Sequence, residues 1–213
     1  MAAALMPSPL SVLLLDLGKV LVDYSHRRIA EGLARHARAE AYRDPDAILR
    51  EFFLQDPSLV TRFDEGRLSA GEFFRQAAEH LGLDVGYEEF LPLWNDIFRE
   101  IPEVTRLLPE LRRRCRLFLI SNTNVLHFHF IREHFPFVHE MDAWILSYET
   151  GARKPHPRIY LRAVERARVP PERMLLVDDR MENVEGARRV GLQAVRFTTP
   201  QALREELARR GLL

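Results

Sequence analysis

Four consecutive apolar residues, Val12-Leu13-Leu14-Leu15, run straight into Asp16, and Gly18 follows two positions later. A short unbroken apolar run closed by a turn signal predicts a strand buried on both faces. Strands of that kind belong to parallel sheets covered by helices, where functional groups lie just beyond the carboxyl ends. Asp16 is therefore expected at the tip of a buried strand. Taken alone it has two readings, a helix-capping aspartate in a βα loop or the first member of a site built along that sheet edge.

After this strand the pattern changes. Residues 24–99 contain no second strand of the same kind and read as successive helices over 28–38, 46–54, 70–81 and 87–98. Asp44-Pro45 is a helix start signal, with proline just inside the helix. Ser69 and Glu72 are spaced as a capping box, and Gly82 closes that helix. Phe90, Leu91, Trp94 and Phe98 fall on one face of the last helix, and Trp94 is expected in the core of this segment.

From Pro102 onward strand and helix alternate. Helices are predicted over 103–114, 125–134, 157–168, 182–190 and 200–210, with strands over 117–120, 143–147, 174–177 and 194–197. Repeated βα units mean a doubly wound, parallel (Rossmann-like) α/β sheet with right-handed crossovers. Residues 1–23 and 100–213 form that core, and residues 24–99 form a helical cap inserted after the first strand.

Composition narrows the function. The 213 residues suffice for a full hydrophobic core. Lys plus Arg and Asp plus Glu both number 31, so the basic excess expected of a nucleic-acid or anionic-membrane surface is missing. Cys115 is the only cysteine, which excludes an intrachain disulfide, and its apolar neighbours suggest a buried small hydrophobe. Residues 1–10 lack a basic n-region and contain Pro7 and Pro9, a poor signal peptide. No apolar run reaches membrane-spanning length. The expectation is a cytoplasmic protein with neither nucleic-acid nor membrane partners, its oligomeric state left open.

In a parallel sheet, every strand end that carries a polar group lies on one edge. Asp16, Ser121-Asn122, Lys154 and Asp178-Asp179 therefore converge. A carboxylate serves as a nucleophile. Neighbouring carboxylates hold Mg²⁺, which offsets repulsion between that nucleophile and an anionic phosphate. A hydroxyl, free backbone N–H groups and a lysine hold the other phosphate oxygens. Singly each residue is weak support, since a serine after a strand is often only a cap. Jointly, in this order and on this topology, they point to phosphoryl chemistry.

The same residues carry a family resemblance. Leu15-Asp16-Leu17-Gly18-Lys19-Val20, Ile120-Ser121-Asn122-Thr123, Arg153-Lys154-Pro155, and Val177-Asp178-Asp179 followed by Asn183-Val184-Glu185-Gly186-Ala187 resemble the four motifs of the haloacid dehalogenase-like (HAD) hydrolases. The insert is similar to that family's C1-type cap. Gly18, the Ser121-Asn122-Thr123-Asn124 run and the segment Glu65-Gly66-Arg67-Leu68-Ser69 most resemble sugar-phosphate phosphatases of the α-D-glucose-1-phosphate phosphatase type. The phosphatase-like N-terminal domain of soluble epoxide hydrolases is a further relative by this resemblance.

The resemblance implies a role for each residue. Asp16 becomes an aspartyl-phosphate. Ser121, Asn122 and Lys154 hold the phosphoryl group. Asp179, with Asp178 beside it, Asp16, and the main-chain carbonyl of Gly18 hold Mg²⁺, and Asn183 assists. The implied substrate is a small phosphorylated metabolite, a sugar phosphate first of all.

Gly18 departs from the pattern, because most family phosphatases carry there a second aspartate that protonates the leaving alkoxide. Three readings follow. One is a phosphatase whose substrate needs less protonic help or finds it elsewhere, with His26 a possible donor. Another is a haloacid dehalogenase-type hydrolase, disfavoured by the Asp178-Asp179 pair. The third is a non-catalytic binder of a phosphometabolite or protein, disfavoured by the retained nucleophile. A phosphoaspartate receiver is excluded by motif order and by the cap.

Other residues are weighed the same way. His127, His129, His134 and His139 lack the spacing of zinc ligands, and His127 alone is close enough to the second motif to line a site. Asp23 is expected to fix the turn leaving the opening segment, while the direction of Lys19 is left open.

Overall fold

The computed structural model describes residues 10–213. The reading of the opening residues as a poor signal peptide, and residues 1–9 of the expected core, lie outside the described residues. The described strands are β1 (Val12–Leu15), β2 (Val22–Tyr24), β3 (Phe98–Glu100), β4 (Arg116–Ser121), β5 (Ala143–Leu146), β6 (Met174–Asp178) and β7 (Gln193–Arg196). Five of them form one sheet in the order β5-β4-β1-β6-β7, each pair parallel.

The apolar opening run is the central strand, paired with β4 on one side and β6 on the other. Successive side chains of a strand point to opposite faces, and here both faces are covered. Leu13, Leu15, Leu117, Leu119, Leu175 and Val177 pack into one core layer. Val12, Leu14, Phe118, Ile120, Met174 and Leu176 pack into the other. All of these are essentially unexposed, so a polar substitution in any of them would bury an unpaired group. Leu15 lies opposite Leu119 and Val177. The carboxyl ends of β1, β4 and β6 are thereby brought level.

The segment between β2 and β3 is helical, with a core of its own around Phe52, Phe63, Phe73, Phe90 and Trp94. Phe63 stacks on Phe73 at 4.2 Å between ring centroids, and Trp94 is fully buried at 4.7 Å from Phe73. The helix Ala70–Leu81 has the expected capping box, with Glu72 N–H donating to Ser69 Oγ and Ser69 N–H to Glu72, and it ends at Gly82 in the left-handed region. Gly66 seats the insert on the sheet domain. Its φ is +69°, and a Cβ there would fall 2.0 Å from the Tyr148 carbonyl oxygen.

Several local expectations are corrected. No strand was expected from residue 24 to 99, yet β2 and β3 pair antiparallel, Tyr24 opposite Phe98, and form a two-stranded ribbon at both ends of the insert. Three residues per strand carry too little periodicity to read. The helix expected to reach Phe98 ends at Asn95, because Phe98 joins this ribbon. The helix over 103–114 is two, Pro102–Thr105 and Leu108–Arg112. Pro109 lacks the N–H that a continuous helix needs at that point.

The helix Leu59–Asp64, capped by Ser58, was not anticipated. Ser147 opens a helical turn, Ser147–Thr150, instead of ending β5. The segment 46–54 starts at Pro45 with Asp44 as its cap, then widens to a π-helical turn over Arg50–Leu54. Such turns recur at functional sites, and this one brings Phe52 and Phe53 to the cavity described next. Among the described residues no helix is long and apolar enough to cross a membrane.

Candidate active site

A cavity of about 180 Å³ lies between the carboxyl edge of the sheet and the insert. Asp16, Gly18, Ser121, Asn122, Lys154 and Asp179 all line it, and Asp178 lies just behind. Residues more than a hundred positions apart meet here because three parallel strands end level.

Lys154 is the hinge of the polar arrangement. Its ammonium sits 2.8 Å from Asp16 Oδ1 and 2.6 Å from Asp178 Oδ2, and donates to the Ile120 carbonyl at 3.1 Å. All three of its donors are used, and its side chain is 1% exposed. The backbone of Lys154 is fixed as well. Its N–H donates to Asn122 Oδ1 at 2.7 Å, and Asn122 Nδ2 donates back to the Lys154 carbonyl at 2.9 Å.

One cation faces two carboxylates, and the two are not equal. Asp178 Oδ1 also accepts from Arg180 N–H at 3.0 Å and Asn183 Nδ2 at 2.8 Å. Burial alone would raise its pKa, but Lys154 and these donors outweigh burial and hold it below the usual carboxylate range. Asp16 has Lys154 and its own neighbour's N–H, Leu17 to Oδ1 at 2.7 Å. Burial pushes it up to about 7, Lys154 offsets part of that, and Asp178 adds to it. For Lys154, the desolvation that would lower its pKa is outweighed by the two carboxylates, so it stays charged.

The donor set fits a hard divalent cation. Carboxylate oxygens of Asp16, Asp178 and Asp179 lie within 4.8 Å of one another, the only such group among the described residues. The Gly18 carbonyl accepts none of the hydrogen bonds that close its loop. Asn183 Oδ1 is buried without a partner in the wall of the same cavity. An all-oxygen set of this kind suits Mg²⁺.

The insert side of the cavity combines aromatic rings with a second polar group. His26 stacks on Phe53 at 4.2 Å and leans on Tyr24 at 4.9 Å. Burial, then the positive charge of Lys19 and Arg153, push its pKa down to about 4, so it is neutral at neutral pH. Asn124 caps the helix Val125–His134 through the His127 N–H at 3.0 Å. Asn124 Nδ2 reaches Asp64 Oδ1 at 3.1 Å and His127 Nδ1 at 3.2 Å. The other ring nitrogen of His127 therefore carries the proton, and donates to the Trp94 carbonyl at 3.0 Å. Desolvation pushes His127 down to about 3 and Asp64 up to about 6.

His26 and His127 thus reach the cavity, whereas His129, His134 and His139 are exposed. His134 and His139 spend a ring nitrogen on the carbonyls of Phe130 and Arg132. Asp23 accepts the Tyr24 N–H at 2.8 Å and pairs with Lys19 at 2.5 Å, so it fixes the turn and draws Lys19 outward. Cys115 is buried, and burial pushes its thiol up to about 11, which leaves no reactive thiolate.

Sequence reasoning did not single out Tyr24, Asp64, Asn124 or the side chain of Arg153. Only Asn124 had a readable signal, its position as an N-cap ahead of a helix.

The sequence profile of the haloacid dehalogenase-like hydrolases matches residues 9–191. The D-ribitol-5-phosphate phosphatase of Bacteroides thetaiotaomicron is 28% identical over 200 residues, covering 90% of this chain and 94% of that protein. A shorter stretch of 62 residues is 39% identical to the glyceraldehyde 3-phosphate phosphatase of Methanopyrus kandleri, covering 29% of this chain and 25% of that protein. In structure, the chain is similar to a HAD family enzyme of Bacteroides thetaiotaomicron solved with magnesium and inorganic phosphate. The TM-score is 0.78 at 24% identity, with 89% of this chain and 94% of that one covered. A 2-haloacid dehalogenase from Pseudomonas syringae shares the fold at a TM-score of 0.64 and 21% identity, covering 94% and 99%. With its parallel core, its helical insert and these relatives, the chain belongs to the haloacid dehalogenase-like hydrolase family and is an enzyme of its phosphatase kind.

Proposed function

We propose that this protein is a Mg²⁺-dependent phosphomonoester hydrolase that acts on a small sugar or polyol phosphate through an aspartyl-phosphate on Asp16. The observation that carries this reading is the buried Asp16–Lys154–Asp178 arrangement with Asp179 beside it, facing one cavity between sheet edge and insert. Asp178 holds Lys154, which leaves Asp16 as the carboxylate free to attack. Asp16, Asp179 and the Gly18 carbonyl would hold the ion, with Asp178 next to them. Bound there, Mg²⁺ would neutralise charge on the phosphoryl oxygens and keep Asp16 ionised.

The chain's own residues then have separable tasks. Lys154 neutralises Asp16 and a phosphate oxygen. Ser121 Oγ, which has no hydrogen-bond partner among the described residues, supplies a donor from the end of β4. Both side-chain groups of Asn122 are spent on the Lys154 backbone. Its own contribution to phosphate is then its N–H, and its side chain keeps Lys154 in place. The relatives that act on ribitol 5-phosphate and glyceraldehyde 3-phosphate support a short phosphorylated polyol or sugar as the substrate class.

The test is a phosphate-release screen of sugar, polyol and nucleotide monophosphates with Mg²⁺, beside Asp16→Asn as the dead control. Release that requires Mg²⁺ and Asp16 is the expected result. No release from any member, or activity on a 2-haloacid that survives EDTA, overturns the reading.

A further inference from the structure

Gly18 leaves the position two residues beyond Asp16 without a side chain, and Tyr24 fills the space. A Cβ built on Gly18 would lie 2.6 Å from Tyr24 Cε1, 3.3 Å from Cδ1 and 3.6 Å from Cζ. Real Cβ contacts do not come so close. Gly18 is not among the residues of positive φ, so its backbone conformation would accept any residue. The tyrosine ring is what keeps position 18 bare.

That ring is held firmly. Its backbone pairs with Phe98 in the β2–β3 ribbon. Lys19 Nζ lies over its face at 4.9 Å, His26 leans on it at 4.9 Å, and Phe98 is 6.3 Å away. Its hydroxyl, by contrast, has no hydrogen-bond partner among the described residues. Tyr24 lines the same cavity as Asp16 and Asp179. A phenol is protonated at neutral pH and carries one donor, and a large ring with an unpaired polar tip is suited to contact a ligand.

Phosphoryl transfer sets the attacking and leaving oxygens roughly in line. Asp16 attacks from the sheet edge, so the leaving oxygen points toward the insert, where Tyr24 stands on the ribbon. We propose that Tyr24 is a specificity-determining residue whose ring takes the place of a side chain at position 18 and whose hydroxyl donates to the ester oxygen of a phosphorylated polyol or sugar. This rests on the phosphatase reading above. As the bond from Asp16 to phosphorus forms, the ester P–O bond breaks and its electron pair departs on the ester oxygen. Tyr24 stabilises the developing alkoxide through the hydrogen bond and, as a stronger acid than water, yields its proton to it, and water then returns a proton to the phenolate. A fixed donor aimed at such charge contributes about 10²–10³ in rate. His26 does not share this role, because it stacks on Phe53 and leaves the Gly18 space to Tyr24.

The experiment compares Tyr24→Phe with the native chain on two esters under Mg²⁺. One is the fastest polyol or sugar phosphate of the screen. The other is p-nitrophenyl phosphate, whose leaving oxygen needs little stabilisation. Tyr24→Phe keeps the ring over Gly18 and removes only the hydroxyl. Its loss in kcat/KM on the polyol or sugar ester is expected to exceed that on p-nitrophenyl phosphate by at least about tenfold. Equal losses, or none, overturn the proposal. If the native chain releases phosphate from neither ester, the phosphatase reading fails first and takes the proposal with it.

A second readout needs no turnover. Gly18→Ala is expected to lower Tm by roughly 2–10 °C through overpacking, and by clearly less in a Tyr24→Ala background. Additive shifts in that cycle would mean that the ring does not fill the space at residue 18, and would also overturn the proposal.

Discussion

The two ends of the cavity are built on different terms. At the sheet end, Lys154 has used all its donors, and both oxygens of Asp178 are engaged. At the insert end, the Tyr24 hydroxyl and both ring nitrogens of His26 have no hydrogen-bond partner among the described residues, and Arg153 Nε is buried without one. The ion pairs Arg153 makes there are loose, Nε to Asp64 Oδ2 at 3.9 Å and Nη1 to Asp56 Oδ1 at 3.6 Å. The saturated Lys154–Asp178 network holds its geometry before substrate arrives, as stabilisation of a charged transition state requires, and leaves Ser121 Oγ and Asn183 Oδ1 unpartnered beside it. An unsaturated one leaves groups for the part of the substrate that varies. On the proposed function, the difference would separate reaction type, set by the sheet edge, from substrate choice, set by the insert and its ribbon.

The comparison is broken most severely at Asp16, the proposed nucleophile. Asp16→Asn should abolish phosphate release, by at least about 10⁴-fold, without unfolding the chain. Its effect on stability has a definite sign. The folded-state pKa of Asp16, about 7, lies above the ordinary carboxylate value of 3.8. The stability linked to this group is therefore complete below that lower value and is lost as pH rises through about 7. Asp16→Asn removes the titration, so in EDTA its Tm should fall less than the native chain's between pH 6 and pH 8. Thermal scans across that range check it, and an equal fall in both proteins would mean that Asp16 is not desolvated as described.

Next in size is Lys154→Met. It leaves Asp16 and Asp178 facing each other in a buried site, a loss of about 3–5 kcal/mol, measurable by urea titration. Turnover should fall about 10²–10³-fold from the lost charge. The destabilisation should grow as pH rises, because the carboxylate pair then has no cation. A variant as stable as the native chain at pH 8 would mean that Lys154 is not what reconciles the two carboxylates.

Asp64→Asn probes the insert end, and a smaller change is expected. Burial holds Asp64 at about 6, so in the native chain the stability linked to it is lost as pH rises from the ordinary carboxylate range through about 6. The variant should lose roughly 2–4 °C less Tm between pH 5 and pH 7. Its KM should lose any step near pH 6 while kcat changes little. A fall in kcat as large as that of Lys154→Met would erase the division between the two ends.

The sheet end was legible in the sequence and the insert end largely was not, for a physical reason. Asp16, Ser121 and Asp178 each follow an apolar run, and parallel pairing forces those run ends together, while Lys154 was legible only through the Arg153-Lys154-Pro155 motif in the loop after β5. Tyr24 and Asp64 carry no comparable signal. Tyr24 sits in a three-residue strand whose partner, Phe98, is more than seventy positions away, and Asp64 closes a six-residue helix. Their approach to the site depends on how the insert packs, which local periodicity does not encode. Gly18 stands between the two cases. The sequence exposed its missing side chain, but only the structure showed which ring occupies the space.

The smallest effect is expected at His26, and it sharpens the comparison most finely. A histidine at the mouth of a phosphatase site invites the role of proton donor. Its imidazole is instead desolvated, pushed down to about 4, stacked on Phe53, and without a hydrogen bond that would fix a donating nitrogen. At neutral pH the imidazolium is then a minor species. His26→Ala should change kcat by less than about threefold, far from the hundredfold or more that a general acid contributes, while KM rises as the aromatic wall loosens. His26→Phe, which restores the stack and cannot donate, should recover most of that KM. Steady-state kinetics on the same ester for both variants decides it: a collapse in kcat common to both would make His26 the donor and move catalysis, in part, to the insert side.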